Sequence, residues 1–530
     1  MQLFGLDHFQ RQIRLVEVSI HLKGFVLPLF FEFSNEWIAF LIFFGIIMLF
    51  IGIAEILRKA LKLSPEVSRK FVHVMVGILV SLAPFFLSEK LPVIILGILF
   101  TILNYIAIKN DSLKGMHTTE RVSFGTVYFP IAFTMLVIMF WDRNIVIFIV
   151  AMLILTFADT AATIIGERSN SKNKFILWHD KKSWAGSIAF FTVALLVLLA
   201  SYPIYTELLN ADSLPLIHLV GMSVFVAFVS TVGEAVSKRG SDNLTLTLTA
   251  ALGMDLYLTN MGSGTLLTIA GWFMFSLILG YGAYRLKALS LSGGFGAFLL
   301  GIFMFGMGSW DTTLPLIGFF VLSSLLSKIA DRQSKADGIS KKGSQRDIVQ
   351  VYANGGIPLI FTIAWYLSNY STVWLYWAFL ASLASATADT WETEIGSFSK
   401  KLPLNILTWK RVSKGYSGGV SFFGTIGGLL GATSIVAIAY FNGSLFWDPI
   451  LIVVIIAAGF LGTIVDSILG ASIQAKFTCE VCGKSTERLS HCQQETRHLS
   501  GYLWLDNDWV NVAGSLSGGI IFIVIYFLIF

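Results

Sequence analysis

Residues 158–191 read ADTAATIIGERSNSKNKFILWHDKKSWAGSIAFF, and residues 388–423 read ADTWETEIGSFSKKLPLNILTWKRVSKGYSGGVSFF. Each stretch places Ala-Asp-Thr at the end of an apolar run, with a Gly seven residues after the Asp. Each continues through a basic loop to a small-residue Ser/Gly turn that opens the next apolar run. The spacing around them repeats too: Gly125 to Asp159 and Gly355 to Asp389 are both 34 residues, while Gly186 to Glu234 is 48 and Gly419 to Asp466 is 47. A carboxylate at the end of a membrane span costs a few kcal/mol unless it has a partner or a task. Two such acids in one frame predict two related active sites in one polypeptide.

The membrane setting follows from composition. The chain has 530 residues, 55% hydrophobic and 13% charged, with a mean hydropathy of +0.76. A water-soluble domain carries roughly twice that charge, so the expected class is an all-α polytopic membrane protein with about sixteen transmembrane helices of roughly 17–25 residues each. Alternate loops hold 32 of the 37 Lys and Arg residues; the opposite side holds only Arg11, Arg14, Lys23, Lys90 and Arg143. The basic side is expected to be cytoplasmic, in a prokaryotic plasma (inner) membrane. The net charge of +5 is then topology, not a nucleic-acid footprint. Residues 1–36 read as a short interfacial segment and not as a cleavable signal. Two related membrane domains are expected to follow, over 37–260 and 261–530.

The second half carries an insertion. Glu234 to Asn243 spans 9 positions, whereas Asp466 to Asn511 spans 45. The additional loop, 476–507, holds all three cysteines. Cys479, Cys482 and Cys492 have metal-knuckle spacing and suit Zn²⁺ in a structural role, with His491 or His498 as the fourth ligand. Adjacent ligands at 491 and 492 are geometrically awkward, and three reduced cysteines without metal are the alternative.

In the first half, Arg69 and His73 fall one helical turn apart at a span end, beside Lys70, a pattern that suits a phosphate-bearing ligand. An ordinary positive-inside flank with His73 as an interior histidine is the alternative. Arg121, Ser123 and Gly125 precede a span, where free backbone N–H groups accept an anion. Asp159 has the chemistry of a Mg²⁺ ligand or of a base toward a hydroxyl. Lys181 and Lys182 stand just before Gly186 and Ser187, placed to hold a polyphosphate against a helix N-terminus. Glu234, Asp242 and Asn243 add oxygen ligands on the same membrane face. No Walker A loop, GxSxG or HExxH motif is present.

The strings ADTAATIIGER and KKSWAGSIAFF, with RKFVH upstream and DNLT downstream, resemble the CTP-dependent prenol kinases, the family of dolichol and phytol kinases related to phosphatidate cytidylyltransferase. The resemblance covers roughly 65–250. It implies phosphorylation of a lipid alcohol by CTP with a divalent metal, Mg²⁺, and places Asp159, Lys182, Gly186, Ser187, Asp242 and Asn243 in the active site. SKRGSDNLTL keeps Lys238-Arg239 but not the Lys-Asp spacing and Gly-rich tail of the cytidylyltransferases, which favours a kinase.

The second half, roughly 285–525, resembles the membrane family that includes plant phytyl-phosphate kinase. The matching strings are LSGGFGAFLLG, RDIVQVYANGG, ADTWETEIGS, KGYSGGVSFFG, VDSILGA and the Cys loop followed by DNDWVN. That resemblance implies addition of a second phosphate to a prenyl monophosphate. Arg346, Gln350, Asn354, Asp389, Glu392, Glu394, Ser417, Gly418, Gly419, Asp466, Asp508 and Asn511 lie in those motifs, and Lys414 is the expected phosphate-holding cation. Ala162 and Ile164 of the first half stand opposite Glu392 and Glu394, so more divalent charge is expected in the second.

The expected whole is a bifunctional isoprenoid-alcohol kinase acting on a membrane-embedded prenol of the phytol, geranylgeraniol or farnesol type. The alternatives are a monophosphate-only polyprenol kinase, a CTP-dependent lipid cytidylyltransferase, or a transporter. Transporters share repeated halves, but here the acids gather at one membrane face.

Overall fold

A computed structural model of the chain describes residues 13–19, 28–33, 35–110, 124–169, 173–178, 180–336, 345–444, 448–483 and 485–530. It divides into two compact units, Met1–Leu266 and Leu267–Phe530.

In the first unit, β1 (Ile13–Ser19) and β2 (Pro28–Phe33) pair antiparallel where the sequence predicts an interfacial segment. Then come α1 (Glu36–Leu61), α2 (Pro65–Ser81), α3 (Lys90–Lys109), α4 (Gly125–Phe140) and α5 (Ile145–Glu167). A hairpin of β3 (Lys174–Ile176) and β4 (Lys181–Ser183) leads into α6 (Trp184–Leu208), α7 (Leu216–Ala235) and α8 (Asp242–Gly262). The second unit holds α9 (Leu266–Arg285), α10 (Leu291–Ala336), α11 (Ile348–Leu367) and α12 (Val373–Ser397). A hairpin of β5 (Leu404–Asn405) and β6 (Gly419–Val420) follows, then α13 (Phe422–Phe441), α14 (Pro449–Ser472) and α15 (Asn507–Ile529). Between α14 and α15 lie five short strands: β7 (Lys476–Thr478), β8 (Ser485–Thr486), β9 (Ser490–His491), β10 (Gln494–Glu495) and β11 (Arg497–Ser500).

Dividing α10 brings the described helices close to the expected number of spans. Its 46 residues would reach about 69 Å as one rod, more than twice a hydrocarbon core of about 30 Å. Ser309, at φ 52° and ψ −145°, breaks it. The break frees carbonyl groups that need donors in a dry environment. Thr312 Oγ1 donates to Met304 O at 2.6 Å, and Tyr370 Oη to Met307 O at 2.6 Å. Among the described residues, fifteen helices thus give sixteen segments, and twelve of those helices are long and apolar enough to cross a membrane. The other three are the 16-residue α4, the Thr-rich α8 and the Ala/Ser/Thr-rich α12.

Each unit is built around the helix that carries its Asp. Every residue from Val146 to Leu155 of α5 is buried, apolar on all sides, as a central post requires. In α12 the run from Ala378 to Ala388 is buried, and eight of its eleven residues are Ala, Ser or Thr. Small residues let helices approach closely where lipid supplies no hydrophobic drive between them. Accordingly Gly431 of α13, Gly459 and Gly462 of α14, and Gly518 of α15 abut α12 so closely that a Cβ would come within 2.3–3.0 Å of Thr387, Ala384, Ser385 and Ala381 atoms. Ser385 Oγ donates to Gly514 O at 3.0 Å, and the Ser382 and Ser515 hydroxyls lie 2.8 Å apart.

The two units share one local device, and it corrects the repeat register. Ser183 caps α6, its Oγ accepting from Gly186 N at 3.0 Å. Ser421 caps α13 in the same way, accepting from Gly424 N at 3.2 Å. A Cβ on Gly186 would lie 3.0 Å from Ala162 O, and one on Gly424 would lie 3.0 Å from Glu392 O. Gly186 therefore corresponds to Gly424. Gly419, which the spacing pairs with it, lies in β6.

These contacts set a stability test. Gly186→Val or Gly424→Val should push the capped helix off the acid-bearing helix and cost about 1–3 kcal/mol, read as a lower melting temperature of the purified protein. Gly45→Val, in open space on α1, should leave it unchanged. Equal melting of all three variants would contradict the packing described.

Candidate functional site

The first unit encloses a cavity of about 940 Å³. Its polar end is built by the ends of α5 and α7, the starts of α2, α4, α6 and α8, and β4. Arg69, His73, Gly125, Asp159, Lys182, Gly186, Ser187, Glu234, Asp242 and Asn243 all line it, so the structure gathers the sequence-predicted residues of this half in one place. Arg121 and Ser123 lie outside the described residues. The other end of the cavity is apolar, lined by Ile47, Val76, Val80, Leu96, Phe100 and Phe133.

Charge at the polar end is organised around Lys182. Its Nζ donates to Glu234 Oε1 and, at 3.3 Å, to Asp242 Oδ2. Burial disfavours the ammonium, but Glu234, Asp242 and Asp159 outweigh that and hold its pKa above the ordinary lysine value. Asn243 Nδ2 donates to Gly125 O at 2.8 Å and ties α8 to the start of α4. His73 Nε2 lies 3.1 Å from Leu155 O and 3.8 Å from Asp159 Oδ2. A carbonyl only accepts, so Nε2 carries the proton. Lys70 pairs with Glu167 at 3.2 Å. Three buried oxygens lining the cavity, Thr126 Oγ1, Ser187 Oγ and Glu234 Oε2, have no hydrogen-bond partner. Such groups are costly unless a ligand or ion completes them.

The second unit offers a narrow cleft lined by Asn354, Ser385, Asp389, Asp466, Asn511 and Gly514. Glu392 stands beside it, its Oε2 accepting from Thr463 Oγ1 at 3.2 Å. Asp389, Glu392 and Glu487 lie within electrostatic reach of Asp466. Among the described residues no Lys or Arg pairs with Asp389, Glu392 or Asp466, and Asp466 Oδ2 is buried without a partner. The residue that precedes the helix cap, Lys182 in the first unit, is Val420 in the second. Carboxylates with open oxygens and no resident cation fit a divalent metal such as Mg²⁺.

The remaining sequence-predicted residues of this unit are dispersed. Glu394 accepts from Ser327 Oγ at 2.8 Å and faces Arg346, whose own pKa burial lowers and Glu394 raises. Gln350 O accepts from Asn354 Nδ2 at 2.9 Å. Gly418 packs on α14, and Asp508 sits in the first turn of α15. Lys414 is not among the acids: its Nζ reaches Ser397 O at 3.4 Å from an exposed position.

The Cys/His loop forms a compact knuckle. One ligand atom from each of Cys479, Cys482, His491 and Cys492 lies within 4.8 Å of all the others. His491 Nδ1 is 3.5 Å from Cys482 Sγ and 3.2 Å from Cys492 Sγ. Tetrahedral zinc, with bonds of about 2.3 Å to sulfur and 2.0 Å to nitrogen, would set neighbours about 3.5–3.8 Å apart. Residues 491 and 492 converge because Cys492 and Gln493 form a two-residue hairpin turn with φ of 51° and 63°. Left-handed backbone at two non-Gly residues costs roughly 1–2 kcal/mol each. His498 is elsewhere, on Gly501 O and against Phe477, so His491 is the fourth group. Backbone hydrogen bonding at Cys482 holds the Cys479 thiol down to about 6. Desolvation within the cluster and the neighbouring thiols push Cys492 up to about 11.

A cytidylyltransferase family model matches residues 12–239, and the integral membrane protein family DUF92 matches residues 274–519. Protein PGR of Arabidopsis thaliana is 32% identical over 263 residues, which cover 46% of this chain and 90% of that protein. A phytol kinase of Synechocystis is 27% identical, over 38% of this chain and 82% of its own length. Protein VTE6 of Arabidopsis thaliana is 26% identical, over 44% of this chain and 65% of its own. The chain joins a cytidylyltransferase-family unit to a DUF92 unit. No solved structure matches it.

Sequence spacing alone does not reveal two features of these units. The Ser-x-x-Gly caps, SWAG and SFFG, are visible as strings, but the unequal basic loops before them hide the match. Glu487 of the DUF92 unit carries no local signal at all. For the knuckle, Cys479→Ser with Cys482→Ser should remove about one zinc per chain and lower the melting temperature. Metal analysis that finds no zinc in wild-type protein purified without chelator would contradict a zinc knuckle.

Proposed function

We propose that the first unit phosphorylates a membrane-embedded isoprenoid alcohol and that the second phosphorylates the resulting prenyl monophosphate, with CTP as donor to both. The observation that carries this reading is the two-ended cavity of the first unit. One end presents Lys182, Arg69 and unpartnered hydroxyls to phosphates; the other presents only aliphatic and aromatic surface to a hydrocarbon tail. A ligand with a charged head and an apolar tail fits both ends, and the phytol kinase relative acts on such an alcohol.

In this scheme the prenol oxygen bonds to the γ-phosphorus as the bond to the bridging oxygen of CDP breaks. The hydroxyl proton passes to Asp159, and CDP leaves. Phosphoryl transfer asks for alignment and charge neutralisation more than for covalent chemistry. Lys182, fixed by Glu234 and Asp242, offers a point charge beside the N-terminus of α6. The buried walls exclude water that would otherwise hydrolyse the nucleotide. Magnesium, held by the open oxygens of Asp159, Glu234 and Asp242, or of Asp389, Glu392 and Asp466, would neutralise the phosphate oxygens.

The second unit suits an acceptor that already carries charge. Among the described residues no lysine pairs with its acids, so their charge is left for divalent cations that screen two anionic substrates from each other. Lys414, exposed in the loop ahead of β6, is the cation for the incoming phosphate. Both sites are placed on the cytoplasmic side of a prokaryotic plasma membrane, where the basic loops and the nucleotide meet.

Separate substitutions test the division of labour. Asp159→Asn should lower phosphorylation of free prenol by about 10²–10⁴-fold and leave phosphorylation of added prenyl monophosphate intact. Asp389→Asn should leave monophosphate accumulating. Product analysis in which either substitution abolishes both steps would reject two independent sites.

A further inference from the structure

The insert between α14 and α15 does more than fold on itself. Three of its contacts reach the loop ahead of β6. Ser417 Oγ donates to Glu487 Oε1. Lys476 Nζ donates to Tyr416 Oη at 3.1 Å and to Ala471 O at 3.1 Å, 4.4 Å above the Tyr416 ring. On its other side the same loop lies on α14. Gly418, at φ 78°, is so close that a Cβ would meet Ala471 Cβ at 2.4 Å and Ser467 O at 2.6 Å. Only Gly avoids both the clash and the backbone strain there. Residues 416–418 are therefore held between the insert and the helix that carries Asp466.

Glu487 is half-buried. Desolvation pushes its carboxyl up, Lys476 opposes this, and its charge is felt at both Asp389 and Asp466. The cytidylyltransferase-family unit has no equivalent segment. There β4 runs straight into the Ser183 cap, and Lys182 orders the acids. In the DUF92 unit the corresponding β6 is followed by its own cap, and the ordering contact arrives from 70 residues away in sequence.

The path from Glu487 to the knuckle is short. Glu487 follows β8, which pairs with β7 through Phe477↔Thr486 and Thr478↔Ser485. Cys479 and Cys482 lie in the turn that joins those strands. Strands of two and three residues are too short to hold their own register, and a one-residue slip would turn Glu487 to the opposite face. A metal at the turn fixes the register.

We propose that the Cys/His insert is a metal-set clamp on the second site, with Glu487 as the positioning residue that holds Ser417 and the 414–419 loop against α14. The clamp's kinetic consequence rests on the second unit being the prenyl-phosphate site; its structural consequence does not. The second reaction then depends on zinc, and the first does not.

The test uses full-length protein in proteoliposomes, with zinc content, amide hydrogen exchange over 412–421 and kinetics of both steps. Glu487→Gln should retain zinc, speed exchange over 414–419, and lower kcat/KM of the second step about tenfold, as for loss of one charge-assisted hydrogen bond. The first step should be unchanged. Ser417→Ala should match it, and the double variant should be no worse than either. Zinc removal from wild type by a chelator should give the same exchange change. Faster exchange in Glu487→Gln and in zinc-free protein, with wild-type protein that shows no second activity, would uphold the clamp and reject the two-step reading. Unaltered exchange in both Glu487→Gln and zinc-free protein, or fully additive effects of the two substitutions, would overturn the clamp.

Discussion

A carboxylate buried at the end of a packed helix must be compensated, and the two units meet that demand in opposite ways. Asp159 and Asp389 each lie about two turns before the end of the enclosed central helix of their units. In the first unit a lysine enters from the adjoining hairpin and joins two further acids. In the second, among the described residues, no cation of the hairpin pairs with the acids, the acids face one another, and Asp466 Oδ2 stays open. Uncompensated charge of this kind is expensive in a low-dielectric setting. Its persistence at matching positions is the physical reason to read both places as sites that bind cations or cationic complexes and not as packing errors.

If the two units act in the proposed order, that difference gives the tandem arrangement its logic. A neutral alcohol needs only the nucleotide's charge neutralised, and a fixed lysine contributes to this permanently. A phosphorylated acceptor brings a second anion, so a site rich in unpaired carboxylates recruits more divalent charge with its substrates. On the proposed reading, the apolar lobe of the first cavity takes the tail of the ligand and its polar end takes the head. In the proposed clamp, the insert of the DUF92 unit supplies from a distance the ordering that the lysine hairpin supplies locally.

Much of the architecture was legible in the chain. The sixteen segments follow from apolar runs and loop charge, and even the division of α10 follows from length against bilayer thickness. The gathering of Asp159, Lys182, Glu234 and Asp242 follows from their common membrane face. Three things were not legible. The equivalence of Gly186 and Gly424 is masked because 27 residues separate Asp159 from Gly186 and 35 separate Asp389 from Gly424. The convergence of His491 and Cys492 depends on a left-handed turn at non-Gly residues, for which the sequence carries no signal. The contact of Glu487 with Ser417 is tertiary, so no spacing rule reaches it. Lys414 illustrates the converse: a basic residue in the right motif lies outside the acid cluster because its loop is longer than that of Lys182.

The direct test of a two-step kinase is the fate of label from the nucleotide. Purified full-length protein in proteoliposomes would receive farnesol, geranylgeraniol or phytol with CTP labelled at either the γ- or the α-phosphorus, and lipid mono- and diphosphates would be resolved over time. The expected result is γ-label appearing first in monophosphate and then in a diphosphate carrying two labels per prenol, with α-label confined to the nucleotide. Transfer of α-label to lipid, or γ-label that stops at the monophosphate, would contradict it.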